Sequence, residues 1–259
     1  MIRWTLPTRH LAREVQVHDA LDSTNAHALA LADDPSRHGL AILAREQSAG
    51  RGQYGRTWSS PPDTGVLLSR LLFPPPEARR PVVLTAWAAV TVCELIDEVA
   101  ELGATIKWPN DVFARGKKLC GILIEQRTTP HPDFPLASVV GIGLNVRQSA
   151  DEFAAADLPL AGSIASLSGV VSSAENVARA LLHRLDDAYD SLLGGRFDEL
   201  ESRWRTRLGL TGRQVEAERS NHVYRGRLVE VGFDAVTIEV VGETVHFSPE
   251  SVRRLTLAT

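Results

Sequence analysis

The chain has 259 residues, which at about 150 per domain means one or two domains and a sizeable buried core. Apolar residues make up 44% and charged residues 23%, with 19 glycines and 14 prolines; this ordinary globular composition excludes collagen, disorder and a coiled coil. Against 32 acidic residues stand 28 basic ones, a net charge of −4, so no overall field favours nucleic acid; a local basic patch stays open, but the balance argues against extended duplex binding as the main function.

The two cysteines, Cys93 and Cys120, form no C-x-x-C pair and no four-ligand metal set, which suits a reducing compartment. The N-terminal stretch is interrupted by Arg3, Pro7, Arg9 and Arg13 and lacks the apolar centre of a secretory signal. No apolar run approaches the roughly 20 residues of a membrane span. A cytoplasmic protein is expected.

In chain order, residues 14–18 alternate as a short strand, and Asp22-Ser23-Thr24-Asn25 caps a helix through the alanine-rich run that follows. Strands are predicted over 39–45 and 65–73, the second stopped by Pro74-Pro75-Pro76. From Pro81 to Leu102 apolar residues recur at helical spacing on a broad face, which predicts a buried helix with proline in its first turn. A strand over 105–108, a turn at Pro109-Asn110-Asp111, a basic connection at residues 115–118, and strands over 121–126 and 138–146 come next. Residues 175–193 carry Val177, Leu181, Leu185, Ala188 and Leu192 on one helical face; after Gly194-Gly195 a second helix runs to Leu208. Beyond Gly209 short alternating segments separated by turns predict a small β-barrel, with a domain boundary at 209–211.

The most informative segment is GRGQYGRTW at 50–58. Gly50, Gly52 and Gly55 fit G-x-G-x-x-G, but Ser59-Ser60-Pro61-Pro62 deny the helix that a dinucleotide fingerprint requires. The same prolines argue against a P-loop, whose lysine position is held by Arg56. What remains is a glycine-rich loop whose Arg51 and Arg56 can meet anionic oxygens, or else a surface loop with solvated arginines. KWPND at 107–111, followed by Lys118, reads in the same two ways: a turn with charged flanks, or a second cation cluster in which Asp111 orients a lysine or holds Mg²⁺. Trp58 and Trp108 are open between packing and ligand contact. Cys120 reads as a small buried packing residue.

Ser23-Thr24-Asn25, GRGQYGRTW, KWPND, KLCGIL at 118–123 and GIGLNV at 141–146, in this order, closely resemble the biotin protein ligases, the biotin–[acetyl-CoA-carboxylase] ligases. The resemblance implies an α+β fold: a mixed-sheet catalytic domain of the biotin/lipoate protein ligase type over 1–209 with covering helices, and a small SH3-like β-barrel over 210–259. It implies activation of biotin by ATP as biotinyl-5′-AMP, with release of pyrophosphate, and transfer to a lysine of a biotin carboxyl carrier protein. Arg51, Lys118 and Asp111 are then catalytic, with Mg²⁺ on Asp111, and Asp111 assists deprotonation of the carrier lysine. Ser23, Thr24, Asn25, Gln47, Arg51 and Lys118 bind biotin, with Gly121 and Gly141 leaving room for its valeryl chain. Gln53, Arg56, Trp58, Lys107, Asn110 and Asn145 fall on the ATP side. Many bacterial members have arginine where this chain has Gln53, so one charge-assisted contact is given up. The short stretch before Ser23 leaves no room for the DNA-binding domain of many relatives; neither DNA nor membrane is expected as a partner, and a homodimer is left open. The alternatives are a lipoate or octanoate ligase or transferase of the same superfamily, or a nucleotide-binding scaffold without turnover.

Overall fold

The structure, a computed structural model, describes residues 1–11 and 13–258. Its first eight strands form one sheet: β1 (Ile2–Thr5), β2 (Glu14–Leu21), β3 (Ala41–Gln47), β4 (Gly65–Leu72), β5 (Thr105–Lys107), β6 (Asp111–Ala114), β7 (Lys117–Thr128) and β8 (Leu136–Asn145), in the order β1-β2-β3-β4-β8-β7-β6-β5. All neighbours are antiparallel except β2 and β3. That parallel pair requires a crossover, which α1 (Thr24–Ala30) supplies. The Ser23 hydroxyl caps α1 by accepting from the Ala26 N–H, as the sequence predicts.

Strand alternation divides the sheet into two unlike faces. Leu68 and Leu72 of β4, Cys120 and Ile122 of β7, and Val140, Ile142 and Leu144 of β8 join the main core beneath α2 (Pro81–Ala100) and α5 (Ala174–Leu193). The intervening residues face α1, where Ala28, Ile42, Leu71 and Val139 form a smaller cluster. α2 is buried on nearly every side, as its broad apolar face requires. Ser69, Gly121, Glu125, Gly141 and Gly143 alternate with the core residues and so belong to the α1 face.

Two short helices, α3 (Ala150–Ala155) and α4 (Ile164–Ser168), follow β8, and α6 (Phe197–Leu208) completes the helical layer. The C-terminal region is a five-stranded antiparallel sheet of β9 (Gln214–Arg219), β10 (His222–Val231), β11 (Val236–Val240), β12 (Glu243–Phe247) and β13 (Arg254–Leu257), ordered β12-β11-β10-β9-β13. A bulge between Leu228 and Glu230 interrupts the β10–β11 register, the device by which a short strand bends. This sheet is fastened to the first. Trp204 of α6 packs between Trp108 and Phe233, with ring centres 5.6 and 5.5 Å apart, and Trp108 Nε1 donates to the Val252 carbonyl at 2.8 Å. Trp108 is thus a core aromatic, and one continuous core serves both sheets.

A half-buried histidine makes stability pH-dependent. His38 Nδ1 accepts the Phe73 N–H at 3.0 Å, so that nitrogen must be unprotonated, and its ring lies 5.6 Å from that of Tyr189. Burial, reinforced by the nearby Arg70 guanidinium, pushes this imidazole down to about 4. An unfolded chain carries it near 6.5. Below that pH the unfolded state takes up a proton the folded state refuses, so stability falls as pH drops from about 6.5 to about 4 and does not depend on this group above 6.5. Urea-unfolding midpoints across that window should decline, and the decline should be shallower in His38→Gln. Parallel curves for the two proteins would reject the assignment.

Candidate active site

A cavity opens on the α1 face where register places glycines side by side. Gly121 of β7 pairs with Gly143 of β8, Gly141 pairs with Leu123 and with Ser69 of β4, and Asp111 of β6 pairs with Gly121. With no side chains on this patch, the sheet leaves a trough that opens to solvent. Leu67 and Leu123, on the same face as the glycines, supply apolar wall. The Trp58 indole fills part of the trough: a Cβ on Gly143 would lie 2.4 Å from it and one on Gly121 3.0 Å. The paired glycines Gly121 and Gly143 therefore seat a tryptophan donated by the loop.

That loop is a closed hairpin, and no helix follows it. The Trp58 N–H donates to the Gly50 carbonyl at 3.0 Å and the Gly52 N–H to the Arg56 carbonyl at 2.7 Å, with a 3-10 turn at Gln53–Gly55 forming the tip. Tyr54 and Gly55 both have positive φ there. The Arg253 guanidinium of the C-terminal region lies 4.7 Å from the Tyr54 ring centre, so the tip touches the second sheet. The hairpin brings Arg51, Gln53, Arg56 and Trp58 to the cavity.

The second cluster meets it there. Lys118 is the second residue of β7 rather than part of a connection, and its Nζ is 2.6 Å from Asp111 Oδ1 and 5.6 Å from the Trp58 ring centre. Asp111 likewise begins β6 instead of closing a turn. Arg51 Nη1 is 2.9 Å from Glu125 Oε1. The N-terminus of α1 adds the polar wall: Gln47 Oε1 accepts from the Thr24 N–H at 2.8 Å and hydroxyl at 3.1 Å. Three cations, one carboxylate, a group of neutral hydrogen-bonding side chains and an apolar wall thus share one cavity. Such a lining can hold an anion with an apolar chain and a polar head, and can neutralise charge that develops between two anions.

Ser23, Thr24, Asn25, Gln47, Arg51, Gln53, Arg56, Trp58, Asn110, Asp111, Lys118, Gly121 and Gly141 all line the cavity. Two expected residues do not. Lys107 pairs with Asp111 and shares its face, but on the edge strand β5 it is exposed and its Nζ lies over Phe113 of β6, 4.8 Å from the ring centre, outside the cavity. Asn145 is buried behind the lining, where Nδ2 donates to the Gly162 carbonyl at 3.0 Å. It acts at one remove, since Gly162 N–H and Leu160 carbonyl hold the Lys118 backbone at 2.9 and 2.7 Å. Gly141 is corrected too: a Cβ there would lie 2.2 Å from Asn25 Oδ1, so the missing side chain makes room for Asn25 and not for ligand. Cys120 is buried on the core face, with its thiol pushed well above the ordinary value by burial, and is inert packing.

Sequence reading missed Ser69, Glu125 and the 158–162 segment. Ser69 and Glu125 lie in strands that otherwise look like apolar core, and only their period-two position relative to the glycines marks them as belonging to the α1 face. Residues 158–162 carry no motif; they matter through backbone bonds to Lys118. Among the described residues no group of three or more His, Cys, Asp or Glu side chains could hold a metal ion, and Asp111 is the carboxylate in the cavity lining.

The model of the biotin/lipoate A/B protein ligase family matches residues 18–145, from β2 to the last residue of β8, a span that contains every candidate named above from Ser23 to Asn145. The chain belongs to this family. The bifunctional ligase/repressor BirA of Bacillus subtilis is 29% identical over 244 residues, 94% of this chain and 74% of that protein. The biotin–[acetyl-CoA-carboxylase] ligase of Mycobacterium tuberculosis is 35% identical over 184 residues, 67% of this chain and 63% of that protein. A biotin protein ligase from Aquifex aeolicus, solved in complex with biotin and ATP, shares the fold with a TM-score of 0.76 at 23% identity, over 94% of this chain and 99% of that one. The fold likeness therefore reaches past the family model into the C-terminal sheet. Within the biotin/lipoate ligase family, these relatives place the chain on the biotin protein ligase side.

Proposed function

We propose that this protein is an ATP-dependent biotin protein ligase that forms biotinyl-5′-AMP, releases pyrophosphate and passes biotin to a lysine of the biotin carboxyl carrier protein of acetyl-CoA carboxylase. The observation that carries it is the meeting of Arg51 and Arg56 with Lys118 in one glycine-floored cavity, beside Ser23, Thr24 and Gln47. In the first step a biotin carboxylate oxygen bonds to the α-phosphorus of ATP as the bond to pyrophosphate breaks. Both reactants are anions, so the side chains supply charge and alignment and little covalent chemistry. Arg51 offers its guanidinium to the biotin carboxylate, Lys118 stabilises the phosphoryl oxygens, and Arg56 with Gln53 faces the polyphosphate. Ser23, Thr24 and Gln47 hydrogen-bond the ureido ring. Trp58, seated over Gly121 and Gly143, walls the middle of the trough and shields the mixed anhydride from water.

In the second step the carrier lysine nitrogen bonds to the acyl carbon, AMP leaves, and the amine gives up a proton. Asp111 holds Lys118 with one oxygen, and the other is the proposed acceptor for that proton. Mg²⁺ typically binds through one or two carboxylates plus substrate phosphates, which fits a single cavity carboxylate: it would arrive with ATP against Asp111 and add charge neutralisation at the phosphates. Residues 1–209 form the catalytic unit in this reading and 210–259 the smaller one. No helix among the described residues is long and apolar enough to cross a membrane, in keeping with the cytoplasmic location proposed.

The test is incubation with ATP, biotin and a purified carrier domain, followed by intact mass. One biotinyl group should be added, dependent on ATP and on the carrier lysine. Modification by lipoate or octanoate in place of biotin, or no transfer, would overturn the reading.

A further inference from the structure

Glu125 has no part in the scheme above, yet it bridges the loop to the sheet. Its carboxylate is divided between two partners: Oε1 pairs with Arg51 Nη1 at 2.9 Å, and Oε2 accepts from Asn25 Nδ2 at 2.8 Å. Asn25 is itself immobilised, only 4% exposed. Its Oδ1 accepts from Ser69 Oγ at 2.5 Å, its Nδ2 also reaches the Leu123 carbonyl at 3.4 Å, and its amide occupies the space left by Gly141. Glu125 is therefore aimed by the sheet, and Arg51 is aimed by Glu125. Among the described residues Glu125 is the ion-pair partner of Arg51, while the loop's own backbone bonds tie it only to itself across 50/58 and 52/56.

We propose that Glu125 is a positioning residue that sets the Arg51 guanidinium, and with it the 50–58 hairpin, for capture of the substrate carboxylate. Arginine has five N–H donors in a rigid fork, so one can be held by Glu125 while others meet an incoming carboxylate. An arginine ordered before binding loses less rotamer freedom when the ligand arrives. Asn25 belongs to the same device as the strut that keeps Glu125 from swinging into the cavity. Gly141 is needed because any side chain there would expel the strut.

This inference rests on the cavity being the biotin site, so the test has one arm that needs no ligand. In hydrogen exchange of the unliganded protein, Glu125→Ala should speed exchange of the hydrogen-bonded Gly52 and Trp58 amides and leave α2 unchanged. Unaltered loop exchange overturns the proposal whatever the cavity binds. In titrations, Glu125→Ala should raise the Kd for biotin about three- to tenfold, the cost of leaving one long side chain to be ordered by the ligand. It should not change the Kd for the alcohol analogue, in which CH₂OH replaces the carboxylate. Glu125→Gln, which retains an acceptor oxygen, should fall between wild type and alanine, and adding Glu125→Ala to Arg51→Ala should weaken biotin no further. Equal losses for biotin and its alcohol would make Glu125 a general prop of the cavity and reject the assignment, as would full additivity with Arg51→Ala. A wild-type protein that binds no biotin would refute the proposed function, with the exchange arm still deciding whether Glu125 holds the loop.

Discussion

Lys118→Ala is expected to lower biotin-dependent exchange of pyrophosphate into ATP by about a hundredfold to a thousandfold, with little change in unfolding temperature. The magnitude is that of removing one preorganised donor from a site where charge develops in the transition state. The side chain is 30% exposed and its partner Asp111 21%, so deletion strands no deeply buried charge. Lys118 owes its place in the fold to its backbone, through the Leu160 carbonyl and Gly162 N–H, and alanine keeps both bonds. Loss of rate without loss of fold is therefore the signature to look for. Lys118→Arg should recover part of the rate: the charge returns, but a planar fork replaces a compact ammonium set between Asp111 and Trp58. Near-wild-type exchange in the alanine variant would remove Lys118 from the mechanism.

The largest structural effect is expected from Trp204→Ala. Trp204 is 1% exposed, packed between Trp108 of the first sheet region and Phe233 of the second. Among the described residues its Nε1 has no hydrogen-bond partner, so the loss is one of packing and cavity formation, about 3–5 kcal/mol for a large aromatic cut to alanine. For a chain of this length that lowers the unfolding temperature by on the order of 10 °C. Because the core runs without a break from one sheet to the other, a single shifted transition is expected in calorimetry. Two transitions, with only one displaced, would show that residues 210–259 unfold as an independent domain.

The core continuity also bears on function. Trp108 precedes the Pro109-Asn110-Asp111 turn, and its indole is bonded to the Val252 carbonyl of the C-terminal region, while Arg253 lies against Tyr54 at the tip of the arginine loop. Both cation-bearing segments of the cavity thus touch the second sheet, so its placement affects the site without supplying a lining residue.

The sequence by itself determined the elements whose signals are local. The Pro81–Ala100 and Ala174–Leu193 helices repeat their apolar residues over five turns, Ser23 announces its helix by hydroxyl capping, and the serine–proline run after Trp58 ruled out a phosphate-binding helix. The resemblance of five ordered motifs to the biotin protein ligases, and the alternating, turn-punctuated texture after Gly209, were legible in the same way. Several short pieces were not: β1, β13, α3 and α4 hold four to six residues, too few for a period to show.

Only the tertiary structure decided which motif residues share a cavity and what each touches. Lys107 and Lys118 look equivalent in sequence, yet the edge strand β5 leaves one exposed over Phe113 while β7 carries the other to Asp111. Gly141 and Gly143 lie two residues apart on one face, but one makes room for Asn25 and the other seats Trp58. Glu125 acquires its two partners from a hairpin and a helix 74 and 100 residues away in sequence, by pairings of β7 with β8 and β8 with β4. Strand register is a non-local choice that fixes which side chains oppose one another, and a one-residue slip would exchange the cavity face for the core.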